Sequence, residues 1–268
     1  MKIFKAIKLS AILVVFSLNV SVLSAQTGLE VMTKNEKQVF ADDEKVDITM
    51  TLVNKKGKTR VRTINQVTKS DEARNRSSII RFTSPSDVKG TSFLAIEYSD
   101  RDDDQWLYLP ALSKTRRISS SNQTDNFVGS DFTYEDLATE DLEDFKYTNV
   151  KQETLDGQDC FLVEAIPVSE SKIKETGYSK REIYVRKSDF VIAKVNFYDK
   201  NGVHFKTLTT GDIKKVVNNE KSRAYEISMN NLKTNHKTIL KFSNFQINTG
   251  VETDLFSKRN LEKEYSYD

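Results

Sequence analysis

The chain has 268 residues, with 41 Lys and Arg against 39 Asp and Glu, a formal charge of +2 and one cysteine. The lone Cys160 excludes an internal disulfide, and a chain of this length can bury a hydrophobic core without one. Near-balanced charge excludes the basic footprint of a nucleic-acid binder.

Residues 1–25 have the three parts of a secretory signal: Lys2, Lys5 and Lys8, an apolar run over 9–23, then the small residues Ser24 and Ala25. The apolar run is broken by Ser17, Asn19 and Ser21 and is short for a bilayer span. Cleavage after Ala25 is therefore expected. No Cys follows the run to take a lipid anchor, so a soluble exported protein is expected. Losing the three lysines takes the formal charge from +2 to −1, so the basicity belongs to the leader. No Pro-, Gly- or Ser-rich linker divides the remainder, and residues 26–268 are expected to form a single domain.

Over residues 28–41, Leu29, Met32, Val39 and Phe40 recur among charged residues at the spacing of an amphipathic helix. The period then changes to two. In VDITMTLVN, Val46, Ile48, Met50 and Leu52 alternate with Asp47, Thr49 and Thr51, which predicts a strand with one buried face. Residues 54–57 are a turn, and TRVRTINQV returns as the second strand of a hairpin. SSIIRF, TSFLAIEY, QWLYLPAL, DCFLVEAIPV, REIYVRK, FVIAKVNFYD, HFKTLTT, RAYEISMNN and TILKFSNFQIN predict further strands. Asp156-Gly157 and Asn201-Gly202 fall where hairpin turns favour positive φ. So many strands with so little helix between them predict a mainly β fold: an antiparallel meander curling into a large sheet or open barrel. Outward positions hold Asp47, Arg60, Arg62, Glu182, Arg186 and Lys194, which argues against a lipid-facing membrane barrel.

Two neighbouring strands depart from alternation. Phe93, Leu94, Ile96 and Tyr98, then Trp106, Leu107, Tyr108 and Leu109, are apolar on both faces, with Ile79, Ile80 and Phe82 just before them. Such strands must be covered on both sides, either by packed helices or by an apolar cavity on one side.

Catalytic signals are missing. His204 and His236 have no metal-ligand spacing, and Cys160 has no nucleophile motif around it. SDRDDD lacks the Gly and Glu of a calcium loop, with Gln105 and Ala111 at those positions. Asp131, Glu135 and Asp136 have no accompanying serine-nucleophile or phosphate-loop motif, so the protein is expected not to be an enzyme and to need no cofactor or metal.

RFTSPSDVKGTSFLAIEY (81–98), QWLYLPAL (105–112), RRIS (116–119) and FVGSDFTYEDL (127–137) stand in order and close together. In these blocks the chain resembles the outer-membrane lipoprotein-sorting proteins, relatives of the periplasmic lipoprotein carrier LolA. FSKRNL near the C-terminus is compatible with that family too. The resemblance implies an unclosed antiparallel β-barrel, a half-barrel whose concave face is covered by helices, with a cavity for acyl chains. It further implies a periplasmic carrier of lipid or lipoprotein, serving an outer-membrane acceptor or an inner-membrane transporter of the resistance-nodulation-division kind. On this reading Ile80, Phe82, Leu94, Ile96, Leu107 and Leu109 line the cavity, with Phe93, Trp106 and Tyr108 on the opposite face or at its mouth. Arg116 or Arg117 pairs with Asp131 or Asp136 to pin a loop or meets a lipid phosphate. Phe132 and Tyr134 pack on the sheet, and Ser130 or Asp131 caps a short helix over 132–137. The competing expectation is an interaction module that docks on an envelope transporter or assembly complex by a sheet edge and holds no lipid.

Overall fold

The first helix, α1 (Gly28–Val39), starts at a capping box: Thr27 Oγ1 accepts from the Glu30 N–H while the Glu30 carboxylate accepts from the Thr27 N–H. It buries Val31 and Met32 against the sheet. The structure, a computed structural model, describes residues 26–263. The leader expected over residues 1–25 lies outside the described residues.

Thirteen strands follow in a single sheet. They are β1 (Asp43–Val53), β2 (Thr59–Ser70), β3 (Arg76–Ser84), β4 (Ser92–Ile96), β5 (Asp104–Leu109), β6 (Lys114–Arg117), β7 (Phe145–Leu155), β8 (Gln158–Pro167), β9 (Lys180–Arg186), β10 (Ile192–Tyr198), β11 (His204–Lys215), β12 (Ser222–Asn231) and β13 (His236–Ile247). A second helix, α2 (Glu170–Thr176), links β8 to β9, and a third, α3 (Lys258–Leu261), lies near the C-terminus. Every neighbouring pair is antiparallel, in the order β6-β5-β4-β3-β2-β1-β13-β12-β11-β10-β9-β8-β7. The β1–β13 ladder joins the two halves of the chain, and β6 and β7 remain as unpaired edges. The expected unclosed barrel is therefore the observed one.

The two edges are connected by residues 118–144, which cross the concave side. There α1 and this segment bury Val31, Phe127, Phe132 and Tyr134 against Ile48, Ile64, Phe82, Val185 and Met229 of the strands. A second, smaller core lies on the other face of the sheet. There Val251, Leu255, Phe256 and Leu261 cover Val67, Ile79 and Leu94. The C-terminal segment is tied down by Arg81, whose guanidinium donates to the Asn260 carbonyl at 2.7 Å and to Ser92 Oγ at 3.1 Å.

The alternation in β1 holds: Val46, Ile48, Met50 and Leu52 are all buried. At the β7–β8 turn Asp156 and Gly157 have φ of 48° and 79°, the left-handed pair a two-residue hairpin needs. At the second such dipeptide Gly202 alone has positive φ, because five residues, not two, connect β10 to β11. The helix expected over 132–137 is reduced to one 3-10 turn, Glu135–Leu137, and Ser130 Oγ bonds back to the Phe132 N–H instead of capping it.

Candidate functional site

The row of apolar side chains facing the concave side continues past the strands expected to carry the site. Cross-strand register pairs Ile80 with Phe93 and Phe93 with Leu107, and it pairs Ile79 with Leu94 and Leu94 with Trp106. Side chains in one such row share a face. Phe93 thus belongs with Ile80, Phe82, Leu107 and Leu109 on the concave side, while Leu94, Ile96, Trp106 and Tyr108 lie against the C-terminal segment. This corrects the expectation that grouped Leu94 and Ile96 with Ile80 and set Phe93 apart.

The concave row over β3 to β5 is filled, not hollow. Phe127 lies 5.9 Å from the Phe82 ring centroid, 5.5 Å from Phe93 and 5.7 Å from Tyr134, the last two edge to face. Such contacts close the space. The covering hairpin that delivers Phe127 turns at Val128 and Gly129, both at positive φ, and Arg62 donates to the Val128 carbonyl at 2.6 Å.

Open space lies further along the sheet. A cavity of about 440 Å³ runs beneath α1 and the covering segment, over β1 to β3 and β10 to β13. Ile48, Met50, Ile192, Leu208, Ile227 and Phe242 form much of its wall. Of the residues expected to line a cavity, Ile80 alone does so, and of the expected rim residues Phe132 and Asp136 reach it. A side lobe of about 220 Å³ shares Asp136, Ile192, Val195 and Leu208 with it. Polar groups collect at one end, where Asn35, Glu44, Arg76, Ser222 and Arg223 meet. There Arg223 pairs with Glu44 at 2.8 Å and donates to the Val39 carbonyl at 3.0 Å, satisfying the C-terminus of α1.

The covering segment is fastened by carboxylates, though not through the arginines expected to hold them. Asp131 accepts from His236 Nδ1 at 2.6 Å and from Thr238 Oγ1 at 2.7 Å. Asp136 accepts from Lys206 Nζ at 2.6 Å, from the Tyr178 hydroxyl at 2.7 Å and from the Thr133 N–H at 2.8 Å. The Lys206 and Asp136 side chains are only 2% and 6% exposed. Burial and the adjacent Asp136 push the Tyr178 hydroxyl up, which keeps it a proton donor. Arg116 and Arg117 stand on the exposed edge strand β6, with Arg117 paired to Asp104 at 2.7 Å.

Beside the cover is an acidic opening of about 620 Å³ edged by Glu97, Asp103, Glu135, Glu140 and Asp144. Burial, with the neighbouring charges of Glu175 and Asp136, brings the Glu135 carboxyl to about 7 against the pull of Lys172. Burial brings Asp103 to about 6. Asp103 between about 3.8 and about 6, and Glu135 between about 4.5 and about 7, hold a proton in the native state that the unfolded chain has lost, so stability falls as pH rises through these ranges. Glu135→Gln is expected to raise the Tm at pH 8 by about 2–4 °C, the shift of about 1 kcal/mol in a chain this size. At pH 4 it should leave the Tm unchanged, and thermal melts at the two pH values check this.

Among the described residues no group of three or more His, Cys, Asp or Glu side chains is arranged to hold a metal, and no helix is long and apolar enough to cross a membrane.

The unclosed 13-stranded antiparallel sheet with few helices matches a LolA-like open β-barrel. Comparison with solved structures agrees. A domain from Vibrio parahaemolyticus described as an outer membrane lipoprotein-sorting protein is 33% identical, with a TM-score of 0.81 over 88% of this chain and 98% of that one. A DUF1329 family protein from Desulfovibrio piger is 28% identical, with a TM-score of 0.81 over 87% of this chain and 97% of that one. A LolA superfamily protein from Nitrosomonas europaea shares the fold at 20% identity, with a TM-score of 0.68 over 88% of this chain and 99% of that one. A family model described as "uncharacterized protein" matches residues 74–263, and no curated protein matches the chain. The chain belongs to the outer-membrane lipoprotein-sorting protein family.

Proposed function

We propose that this protein is a non-enzymatic periplasmic carrier that binds acyl chains of a lipid or lipoprotein. It would pass them towards the outer membrane, or to or from an envelope lipid transporter. The observation that supports this most is the apolar cavity of about 440 Å³ between the curved sheet and its cover. That volume falls in the range of ligand sites, about 300–1,000 Å³. A docking module with no ligand has no use for such a space, whereas an acyl chain gains about 0.8 kcal/mol per buried methylene.

Release then requires opening, not chemistry. The sheet is not closed between β6 and β7, and the segment bridging that seam is held to the opposite strands through Asp131 and Asp136. Loosening those fasteners exposes the cavity without breaking a strand ladder. The reading is tested by titrating purified protein with a fluorescent fatty acid: saturable binding with an emission blue shift is expected, and no binding at any concentration contradicts it.

A further inference from the structure

The cavity's polar end says what sort of amphiphile fits. Arg76, the first residue of β3, lines it and is partly buried. Among the described residues its guanidinium has no carboxylate within ion-pair distance, and Glu97 engages only its backbone, the carboxylate accepting from the Arg76 N–H at 3.1 Å and the Glu97 N–H donating to the Arg76 carbonyl at 3.0 Å. The other arginine there, Arg223, is committed to Glu44 and to the end of α1. The lining of that end therefore holds two guanidiniums and one carboxylate, with one guanidinium fork left to bind an anion.

Volume limits the tail. At the roughly 30 Å³ that a water-sized group occupies in a liquid, about 440 Å³ holds roughly 15 methylenes, close to one palmitoyl chain. The side lobe of about 220 Å³ adds roughly seven more, still well short of the roughly 30 that two such chains need.

Building on the carrier reading, we propose that the ligand is a single-chain amphiphile with an anionic head, its carboxylate or phosphate held by Arg76 and its one tail laid along Ile48, Ile227 and Phe242.

Competition with a fluorescent fatty acid on the full exported protein tests this, using palmitate, palmitoyl lysophosphatidate, hexadecanol and dipalmitoyl phosphatidate. Palmitate or the lysophosphatidate should displace the probe, and their relative strength names the head group as carboxylate or phosphate. Hexadecanol and the two-chain lipid should each be at least about tenfold weaker. Arg76→Gln should weaken the anionic single-chain ligands about tenfold and leave hexadecanol unchanged, with Arg76→Lys recovering part of the loss. Arg76 is a partly exposed surface residue, so an unchanged Tm should accompany these shifts. Equal binding of hexadecanol, equal binding of the two-chain lipid, or an Arg76→Gln effect shared by all four competitors overturns the proposal while leaving the carrier reading in place. Failure of every lipid to bind overturns both.

Discussion

Asp136→Ala is expected to destabilise the protein by about 3–5 kcal/mol, because it strands the Lys206 ammonium in a site where its side chain is 2% exposed. The same carboxylate receives the Tyr178 hydroxyl and the Thr133 N–H, so two further donors lose their partner. The cover 118–144 has its second fastener, Asp131, on β13 and its aromatic anchor, Phe127, on β3 and β4. Loss of the Asp136 contact should therefore free the middle of the segment first. Chemical denaturation measures the global loss, and hydrogen exchange should show the amides of 133–138 exposed before those of the sheet. The pair is a test of chemistry as well as of stability: Lys206→Met in the Asp136→Ala background should recover much of the loss, since it removes the unpaired buried charge. A loss below about 1 kcal/mol for Asp136→Ala would mean that the pair does not hold the cover.

The second large effect is on binding, with stability spared. Ile227 stands in the middle of the cavity wall on β12 and is only partly buried, so Ile227→Trp places a larger side chain in open space instead of forcing it into packed neighbours. Fatty-acid affinity should fall at least about tenfold, the equivalent of about 1.4 kcal/mol, while the Tm moves by no more than a few degrees. Leu94→Glu is the contrasting change. Leu94 is fully buried between the sheet and the C-terminal segment, away from the cavity. A carboxylate there has no partner and should unfold the protein by more than about 3 kcal/mol. If Leu94→Glu folds normally and Ile227→Trp binds normally, the two faces have been assigned the wrong way round.

Much of the fold was legible because one side of the sheet is buried. Alternation of Val46, Ile48, Met50 and Leu52 identifies β1 directly, and the meander order follows from short connections between such strands. β7 escaped because FKYTNVKQETL is an edge strand in which Phe145 alone is fully buried, so no period-two pattern is imposed on it. β6, four residues on the opposite edge, escaped for the same reason.

The site was legible only in part. Strands apolar on both faces drew attention to β4 and β5, but such strands are the most completely packed, with the aromatic cover on one side and the C-terminal segment on the other. The hollow lies over strands that alternate in the ordinary way, where Ile192, Leu208, Ile227 and Phe242 look like any core face. Periodicity reports that a face is apolar and not whether the space above it is filled. The grouping of Leu94 with Ile80 failed for a related reason, since the parity of one strand relative to the next is set by register. Likewise, Asp131 and Asp136 were recognisable as fasteners, whereas their partners His236 and Lys206, 105 and 70 residues away, were fixed by the curl of the sheet.

The carrier reading is tested most directly by native mass spectrometry of the protein purified from a membrane-containing lysate. The expected spectrum contains, beside the free protein, a species heavier by the mass of one single-chain lipid, and this species should be lost in Ile227→Trp. A spectrum of free protein alone, unchanged after incubation with fatty acids and phospholipids, would contradict it.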